Sequence, residues 1–197
     1  MNRNKLQVMW VVLCSGWMMA GLATAQETAN EESAQDTTEV KLAGGSMILQ
    51  APAAWEVVEP KFSMIEAEFN IPKVEEDESE KDGRLTIMAA GGSIDANIDR
   101  WMGQFSQPDG SSSSDSATIE ESEIAGMTVH MVDISGTFAD RPRPAAPPTL
   151  RDNYRMLAAI IETGDDGNYF IKFYGGKPTI DANMELFHRF LLSLETE

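Results

Sequence analysis

The sequence predicts an α+β fold in which an antiparallel β-sheet carries two packed helices. The elements follow the order strands, helix, two hairpins, helix. The regular strand–helix alternation that builds a doubly wound parallel sheet is missing. Some strand-like segments are apolar on both faces, such as residues 157–161. We therefore expect other elements of the fold to pack on both faces of the central strands.

Residues 1–25 have the three parts of an export signal. Arg3 and Lys5 supply positive charge, residues 6–22 are apolar, and Ala23-Thr24-Ala25 fits the small-x-small cleavage pattern. We predict cleavage after residue 25 and a periplasmic or extracellular location. The alternative is a retained anchor, because the apolar stretch is close to membrane-spanning length.

The composition limits the classes of partner. The 197 residues include 32 acidic and 15 basic side chains, which gives a formal net charge of −17. This excess argues against nucleic acid and anionic lipid as partners, and we predict no stable membrane insertion after signal cleavage. The single cysteine, Cys14, lies in the export signal. The mature protein is therefore predicted to have no disulfide and no thiolate nucleophile.

The remaining chain divides into an acidic lead-in and one domain. Residues 26–40 have no apolar periodicity and are predicted to be disordered, whereas residues 41–197 form a single α/β domain. Within the domain, residues 75–83 and 107–116 are predicted to be polar loops. Residues 140–152 contain four prolines and are expected to be extended without ladder hydrogen bonds.

Short apolar or alternating segments predict the strands. Turn signals at Ala125-Gly126 and at residues 164–167 predict two hairpins. The predicted strands are residues 46–51, 55–59, 62–70, 84–90, 119–124, 127–138, 154–162 and 169–174.

Two apolar stripes at helical spacing predict the helices. The first stripe contains Ile94, Ile98, Trp101 and Phe105, and the second contains Ile180, Met184, Phe187, Leu191 and Leu194. A Gly-Gly turn precedes each stripe, and a hydroxyl residue, Ser93 or Thr179, follows it in a position to cap the helix. Shared capping chemistry explains the similarity of the two helix starts more simply than an internal duplication does.

The element order, with a Pro52-Ala53-Ala54-Trp55 corner, resembles the PsbP-like fold. That α/β/α sandwich is shared by photosystem II extrinsic proteins and a Ran-binding nuclear import factor. Residues 97–105, 132–136 and 169–175 resemble segments of exported bacterial proteins of planctomycete type that have no assigned activity. The resemblance covers residues 46–194. The wider fold is similar to non-catalytic binding and assembly modules, which favours binding over catalysis by analogy.

The histidines and serines do not predict a catalytic triad. Ser111–Ser114 lie in a loop without a sharp strand-to-helix elbow. His130 is predicted to be a packed or edge residue of a strand, and His188 to border the second apolar stripe. Two histidines without cysteine do not predict a zinc site, and we predict no cofactor.

Calcium is an open alternative, because this ion takes oxygen ligands only. The loops Glu75–Asp82 and Asp109–Asp115 supply many carboxylate and hydroxyl oxygens. Neither loop has the twelve-residue helix–loop–helix pattern, and runs of exposed acids are usually solvated. The sequence therefore leaves a weak calcium-binding acidic module as a second alternative function.

Three charged residues are the candidate ligand-binding residues. Lys172 alternates with apolar neighbours on one predicted strand and Asp133 on another, and the first helix carries Arg100. One interpretation is a small polar pocket for a ligand or a reaction, formed by all three. The other is an ion pair that fixes strand register.

The sequence therefore predicts an exported, non-enzymatic binding or assembly module that recognises a protein or a cell-envelope component. The proline-rich segment 140–152 is a possible docking arm, because extended chain loses little entropy on binding. A small-ligand binder or enzyme that uses Asp133, Lys172 and Arg100 is the alternative.

Overall fold

Residues 36–197, apart from two short gaps, form two antiparallel sheets and three α-helices. The computed structural model describes residues 36–141, 146–164 and 167–197. In chain order the strands are β1 Thr37–Leu42, β2 Met47–Pro52, β3 Glu56–Val58, β4 Ala67–Ile71, β5 Gly83–Ala90, β6 Phe105–Ser106, β7 Thr118–Ile124, β8 Met127–Asp140, β9 Thr149–Glu162, β10 Asn168–Gly176 and β11 Glu195–Thr196. The helices are α1 Ile94–Met102, α2 Ser113–Ser116 and α3 Lys177–Leu192.

The larger sheet has eight strands, in the order β3-β4-β5-β10-β9-β8-β6, and β7 pairs with the other part of β8. The smaller sheet has the order β1-β2-β11. All pairs in both sheets are antiparallel. The predicted α+β fold with an antiparallel sheet and packed helices is confirmed.

The large sheet lies between two apolar cores. One core joins the sheet to α3 and to the small sheet, and it contains Trp55, Phe173 and Phe187. The other joins the opposite face to α1 and contains Trp101 and Phe170, whose rings meet edge to face at 5.9 Å. We call these two surfaces of the large sheet the α3 face and the α1 face.

The first helix is shorter than its stripe predicted. It ends at Met102, and Phe105 lies in β6 opposite Phe138. Phe105 is nevertheless buried against the α1 face. Its helical spacing was therefore coincidental, because a strand residue after the helix reaches the same core.

The strand predicted at residues 62–70 begins later, at Ala67. Phe62 and Met64 lie in a turn closed by the hydrogen bond from the Ile65 amide to the Phe62 carbonyl, at 3.0 Å. They are 59% and 66% exposed. Alternation predicted a strand here, but the turn leaves these two side chains in solvent.

The prediction for residues 140–152 is wrong at both ends of the segment. Asp140 pairs with Thr149 and Ala139 pairs with Leu150, so the β8–β9 ladder extends into this segment. Residues 149–152 contain no proline and keep all of their amide donors. The ladder therefore resumes directly after the prolines.

The first described strand, β1, lies partly inside the predicted lead-in. Thr37 to Val40 pair with β2, and Val40 is buried in the core on the α3 face. The folded unit comprises residues 36–197, so it begins before the expected residue 41. The export signal and the rest of the lead-in lie outside the described residues.

The acidic loop between β4 and β5 is attached to the start of α3 by Asp77, which is only 5% exposed. The Asp77 carboxylate accepts hydrogen bonds from the Thr179 hydroxyl and, at 2.9 Å, from the Ser79 amide. A Cβ on Gly176 would lie 2.2 Å from Asp77 Oδ1, so glycine leaves the space for this carboxylate. A Cβ on the preceding Gly175 would lie 2.8 Å from the Gly83 Cα.

The two predicted helix caps have different outcomes. Ser93 caps α1, since its side chain accepts a hydrogen bond from the Ala96 amide. The expected cap by Thr179 is wrong, because α3 begins earlier, at Lys177, and Gly176 is its N-cap without a side-chain hydrogen bond. Thr179 lies inside the first turn, where its hydroxyl contacts Asp77.

None of the helices in the described part of the chain combines the length and apolar character needed to cross a membrane.

Candidate binding groove

Asp133 forms an ion pair with Arg155 on the α3 face. Arg155 Nε donates to Asp133 Oδ1 at 2.9 Å and Nη2 donates to Oδ2 at 2.5 Å. The Asp133 side chain is 35% exposed and that of Arg155 13%. The hydrogen bonds to Asp133, and then those to Asp181, raise the pKa of Arg155 despite its burial. Asp133 thus belongs to a half-buried ion pair between β8 and β9, and its partner is Arg155.

The network continues into the first two turns of α3. Arg155 Nη1 donates to Asp181 Oδ1 at 2.5 Å, and Lys177 Nζ donates to Asp181 Oδ2 at 2.6 Å. Burial alone raises the pKa of Asp181, but the contacts with Lys177 and Arg155 outweigh it and lower this pKa. The negative charges of two carboxylates are thus balanced by the positive charges of two cations where β8, β9 and α3 meet. These groups are Asp133, Asp181, Arg155 and Lys177.

Two clefts meet at Asp133 and Thr118, which line both of them. We call them together the binding groove. The polar cleft has a volume of about 320 Å³ and is lined by Gln107, Ser116, Thr118, Asp133, Ile134, Ser135, Arg155 and Lys177. The apolar cleft has a volume of about 140 Å³ and is lined by Thr118, Glu120, Met131, Val132, Asp133, Leu157, Ala158, Met184, Phe187 and His188.

Helix α3 forms one wall along the whole groove. It contributes Lys177 to the polar cleft and Met184 and His188 to the apolar cleft. These residues are spaced i, i+7 and i+11 and therefore share one side of the helix. Strand β7 supplies Thr118 and Glu120 on the opposite side. The groove is thus bounded by a helix and an edge strand, with charged groups at one end and an apolar cleft at the other.

Lys172 lies on the α1 face, away from the groove. Its Nζ donates to Gln104 Oε1 at 2.5 Å and lies 5.0 Å from the ring centre of Tyr174 and 5.2 Å from that of Phe138. Among the described residues, no carboxylate forms a salt bridge with it. Burial, followed by the positive charge of Arg100, lowers the pKa of Lys172 to about 8.

Arg100 lies near Lys172 on exposed helix surface, where its Nη2 donates to Asn97 Oδ1 at 2.5 Å. The three candidate residues therefore do not meet in one cavity. The register pairs Lys172 with Ala158 on the α1 face and Asp133 with Leu157 on the α3 face. The sheet thus separates Asp133 from the other two residues, and ligand binding by any of them stays a prediction.

His130 is a half-buried strand residue, as predicted. Its Nε2 lies 2.6 Å from Glu162 Oε1, and its Nδ1 lies 3.7 Å from Glu121 Oε2. His188, in contrast, is exposed on α3 and lines the apolar cleft. The described residues contain no group of three or more His, Cys, Asp or Glu side chains arranged to hold a metal ion.

Sequence reasoning did not identify Arg155, Lys177 or Asp181 as site residues. Arg155 occupies a position of β9 that faces α3, and an arginine next to the apolar run of residues 156–161 requires a partner. Lys177 and Asp181 are four residues apart, a spacing that favours an ion pair on a helix. These two signals were present in the sequence, but the pairing of Arg155 with Asp133 depends on strand register.

The fold around this groove is an α/β/α sandwich of the PsbP-like class, as the sequence resemblance implied. Cyanobacterial PsbP (CyanoP) from Synechocystis matches with a TM-score of 0.50 and 10% identity, over 93% of this chain and 98% of that one. The Ran-binding protein Mog1p of Saccharomyces cerevisiae has a TM-score of 0.49 and 9% identity, over 82% of this chain and 96% of the other.

A third similar structure is LpqN of Mycobacterium tuberculosis, a protein involved in cell envelope biogenesis. Its TM-score is 0.47 and its identity 8%, over 85% of this chain and 94% of LpqN. No protein-family model matches the chain, and no curated protein sequence matches it. At 10% identity the likeness to CyanoP shows the fold and not the activity.

Proposed function

We propose that the protein is an exported, non-enzymatic binding module that recognises a protein or cell-envelope component through the binding groove. Three properties support the proposal: the two joined clefts, the ion pairs that fix their polar end, and the export-signal pattern of residues 1–25. The acidic composition supports a partner other than nucleic acid or anionic lipid.

The joining of the two clefts at Asp133 and Thr118 is the observation that carries the proposal. Arg155 is held by two carboxylates and Lys177 by one, so these cations present fixed polar atoms to an occupant. Preorganised groups lose little conformational entropy when a partner binds. The groove therefore has an apolar anchor site and an oriented polar site side by side.

Catalysis by the three sequence-predicted residues is the less favoured alternative. That mechanism requires Asp133, Lys172 and Arg100 in one cavity, whereas Asp133 lies on the opposite face of the sheet from Lys172. Arg155 occupies the charged oxygens of Asp133, which leaves this carboxylate poorly placed to act as a base.

Site-specific photo-crosslinking in living cells tests the proposal. A benzophenone amino acid replaces His188, which is exposed in the groove, or Glu185, which is exposed on α3 outside it. We expect a discrete crosslinked product from position 188 and none from position 185. Equal products from both positions, or no product from position 188, would contradict recognition through the groove.

A further inference from the structure

Strand β7 lies at an edge of the large sheet. Its seven residues, Thr118–Ile124, pair along their whole length with β8. Within the described residues no strand pairs with the outer side of β7. An exposed strand edge offers a row of backbone donors and acceptors to any extended segment that approaches it.

The apolar cleft begins directly beside this edge. Thr118 and Glu120 of β7 line it, and Met131, Leu157 and Met184 supply apolar surface. Its volume of about 140 Å³ is close to that of an apolar cavity that holds benzene, which is about 150 Å³. The cleft therefore has room for one large apolar side chain.

The geometry of strand addition connects the edge with the cleft. A segment added to β7 lies about 4.8 Å away, and alternate side chains of the segment point to the α3 face. One such side chain reaches over β7 towards the cleft, while its backbone bonds to the strand edge. Main-chain pairing then supplies affinity and the cleft supplies selectivity.

The charges of β7 decide which segment fits. Glu120, Glu121 and Glu123 are all exposed on this strand. Side chains directly opposite in an antiparallel pair have Cβ atoms about 4.5–5.5 Å apart, where like charges destabilise and opposite charges stabilise. A second copy of this chain brings the same three glutamates to the edge and is therefore disfavoured.

We propose that the groove binds an extended basic segment of another protein, which adds to β7 as a strand and inserts one apolar side chain into the cleft. This inference rests on the proposed function and names the class of partner. The sites of contact are the outer edge of β7 for the backbone, Glu121 and Glu123 on the α1 face for the basic side chains, and the cleft beside Met184 on the α3 face for the apolar side chain.

A displayed library of random twelve-residue peptides, screened against the purified full-length protein, tests the inference. We expect enriched peptides to carry lysine or arginine at alternate positions and one large apolar residue. Addition of an enriched peptide should slow hydrogen exchange of the β7 amides that point away from β8. A failure to enrich peptides, enrichment of acidic peptides, or protection confined to another region would overturn the inference.

Charge reversal provides a matched control. Glu123→Lys on β7 should weaken binding of the enriched peptide by about tenfold or more, whereas Glu56→Lys on β3, at the opposite edge of the sheet, should leave it unchanged. Equal weakening by both variants would indicate general attraction to an acidic protein and would overturn the inference. Crosslinking from position 188 without peptide binding would instead retain the groove and reject only the strand-like partner.

Discussion

At the scale of single residues, Lys172 is a lysine whose ammonium group is buried between two strands' aromatic side chains and an amide. Two aromatic rings and one amide oxygen surround its ammonium, and burial with the charge of Arg100 lowers its pKa to about 8. An unfolded lysine has a pKa near 10.4. Between these two values the unfolded chain binds more protons than the folded protein, so this residue adds stability as the pH rises from about 8 to about 10.4.

Replacing Lys172 with methionine should therefore stabilise the protein at pH 7, by about 1–3 kcal/mol, because the buried charge is removed. The gain should shrink as the pH rises towards 10, because the wild-type amine is then neutral in the folded protein and no buried charge is left to remove. Urea unfolding at pH 7 and at pH 9.5 measures both effects.

Lys177→Met is the matched control, because the Lys177 side chain is 42% exposed and paired with Asp181. This variant should show no stabilisation at either pH. A Lys172→Met variant that is destabilised at pH 7 would show that the ammonium makes net favourable contacts in the fold.

Single residues also show which part of the candidate site could not be predicted from the sequence. The alternation of Lys172 with Phe170 and Tyr174, and of Asp133 with Val129 and Met131, could be read from the chain and is correct. Which of these two sets faces α1 and which faces α3 depends on the register between distant strands. A pattern within one strand does not contain that register, so the separation of Asp133 from Lys172 was not predictable.

At the scale of elements, Asp77 attaches the acidic loop before β5 to the start of α3. Burial raises the pKa of Asp77, but hydrogen bonds from Thr179 and Ser79 and the charge of Lys73 outweigh it and lower this pKa. The carboxylate lies beside Gly176 at the positive end of the helix dipole and accepts a hydrogen bond from the Thr179 hydroxyl in the first turn of α3.

Asp77→Asn should destabilise the protein by about 1–2 kcal/mol at pH 7, because a buried carboxylate that accepts two hydrogen bonds is replaced by a neutral amide. Because the folded pKa is depressed, the contribution of Asp77 is present above its unfolded pKa of about 3.9 and is lost as the pH falls through the folded pKa. The variant should therefore lose less stability than wild type on acidification. Thermal melting at pH 7 and pH 3 measures both effects.

Glu78→Gln, one residue along the same loop and exposed, should melt like the wild type. If Asp77→Asn also melted like the wild type, the loop would be an ordinary solvated surface, as its composition alone suggests.

The elements with long, regular patterns were predictable, and their ends were not. The two hairpins and α3 follow from turn residues and apolar spacing. Phe105 was assigned to a helix because a single buried aromatic residue fits the spacing of a helix as well as that of a strand. The resumption of the ladder at Thr149 depends on pairing with Asp140, which no local pattern encodes.

At the scale of the whole molecule, the net charge of −17 opposes compactness. Some cations of the folded unit form local ion pairs, such as Arg84 with Glu68 and Arg151 with Asp140. The remaining carboxylates repel one another through solvent, and salt screens this repulsion.

Raising sodium chloride from about 0.05 M to about 0.5 M should therefore raise the melting temperature by a few degrees, because screened repulsion weighs more than screened surface pairs. A variant with glutamine at the exposed positions Glu75, Glu76 and Glu78 should respond less to the same salt. A fall in melting temperature with salt would show that the local ion pairs dominate.

The glycines before the two long helices differ in how much space the structure leaves for a side chain. Nothing lies within 4 Å of a Cβ on Gly91, whereas a Cβ on Gly175 or Gly176 meets the Gly83 backbone or the Asp77 carboxylate. A side chain at position 91 is therefore compatible with this fold, whereas one at position 175 requires the Gly83 backbone to move and one at position 176 requires the Asp77 carboxylate to move. The two similar Gly-Gly turns thus meet different steric requirements.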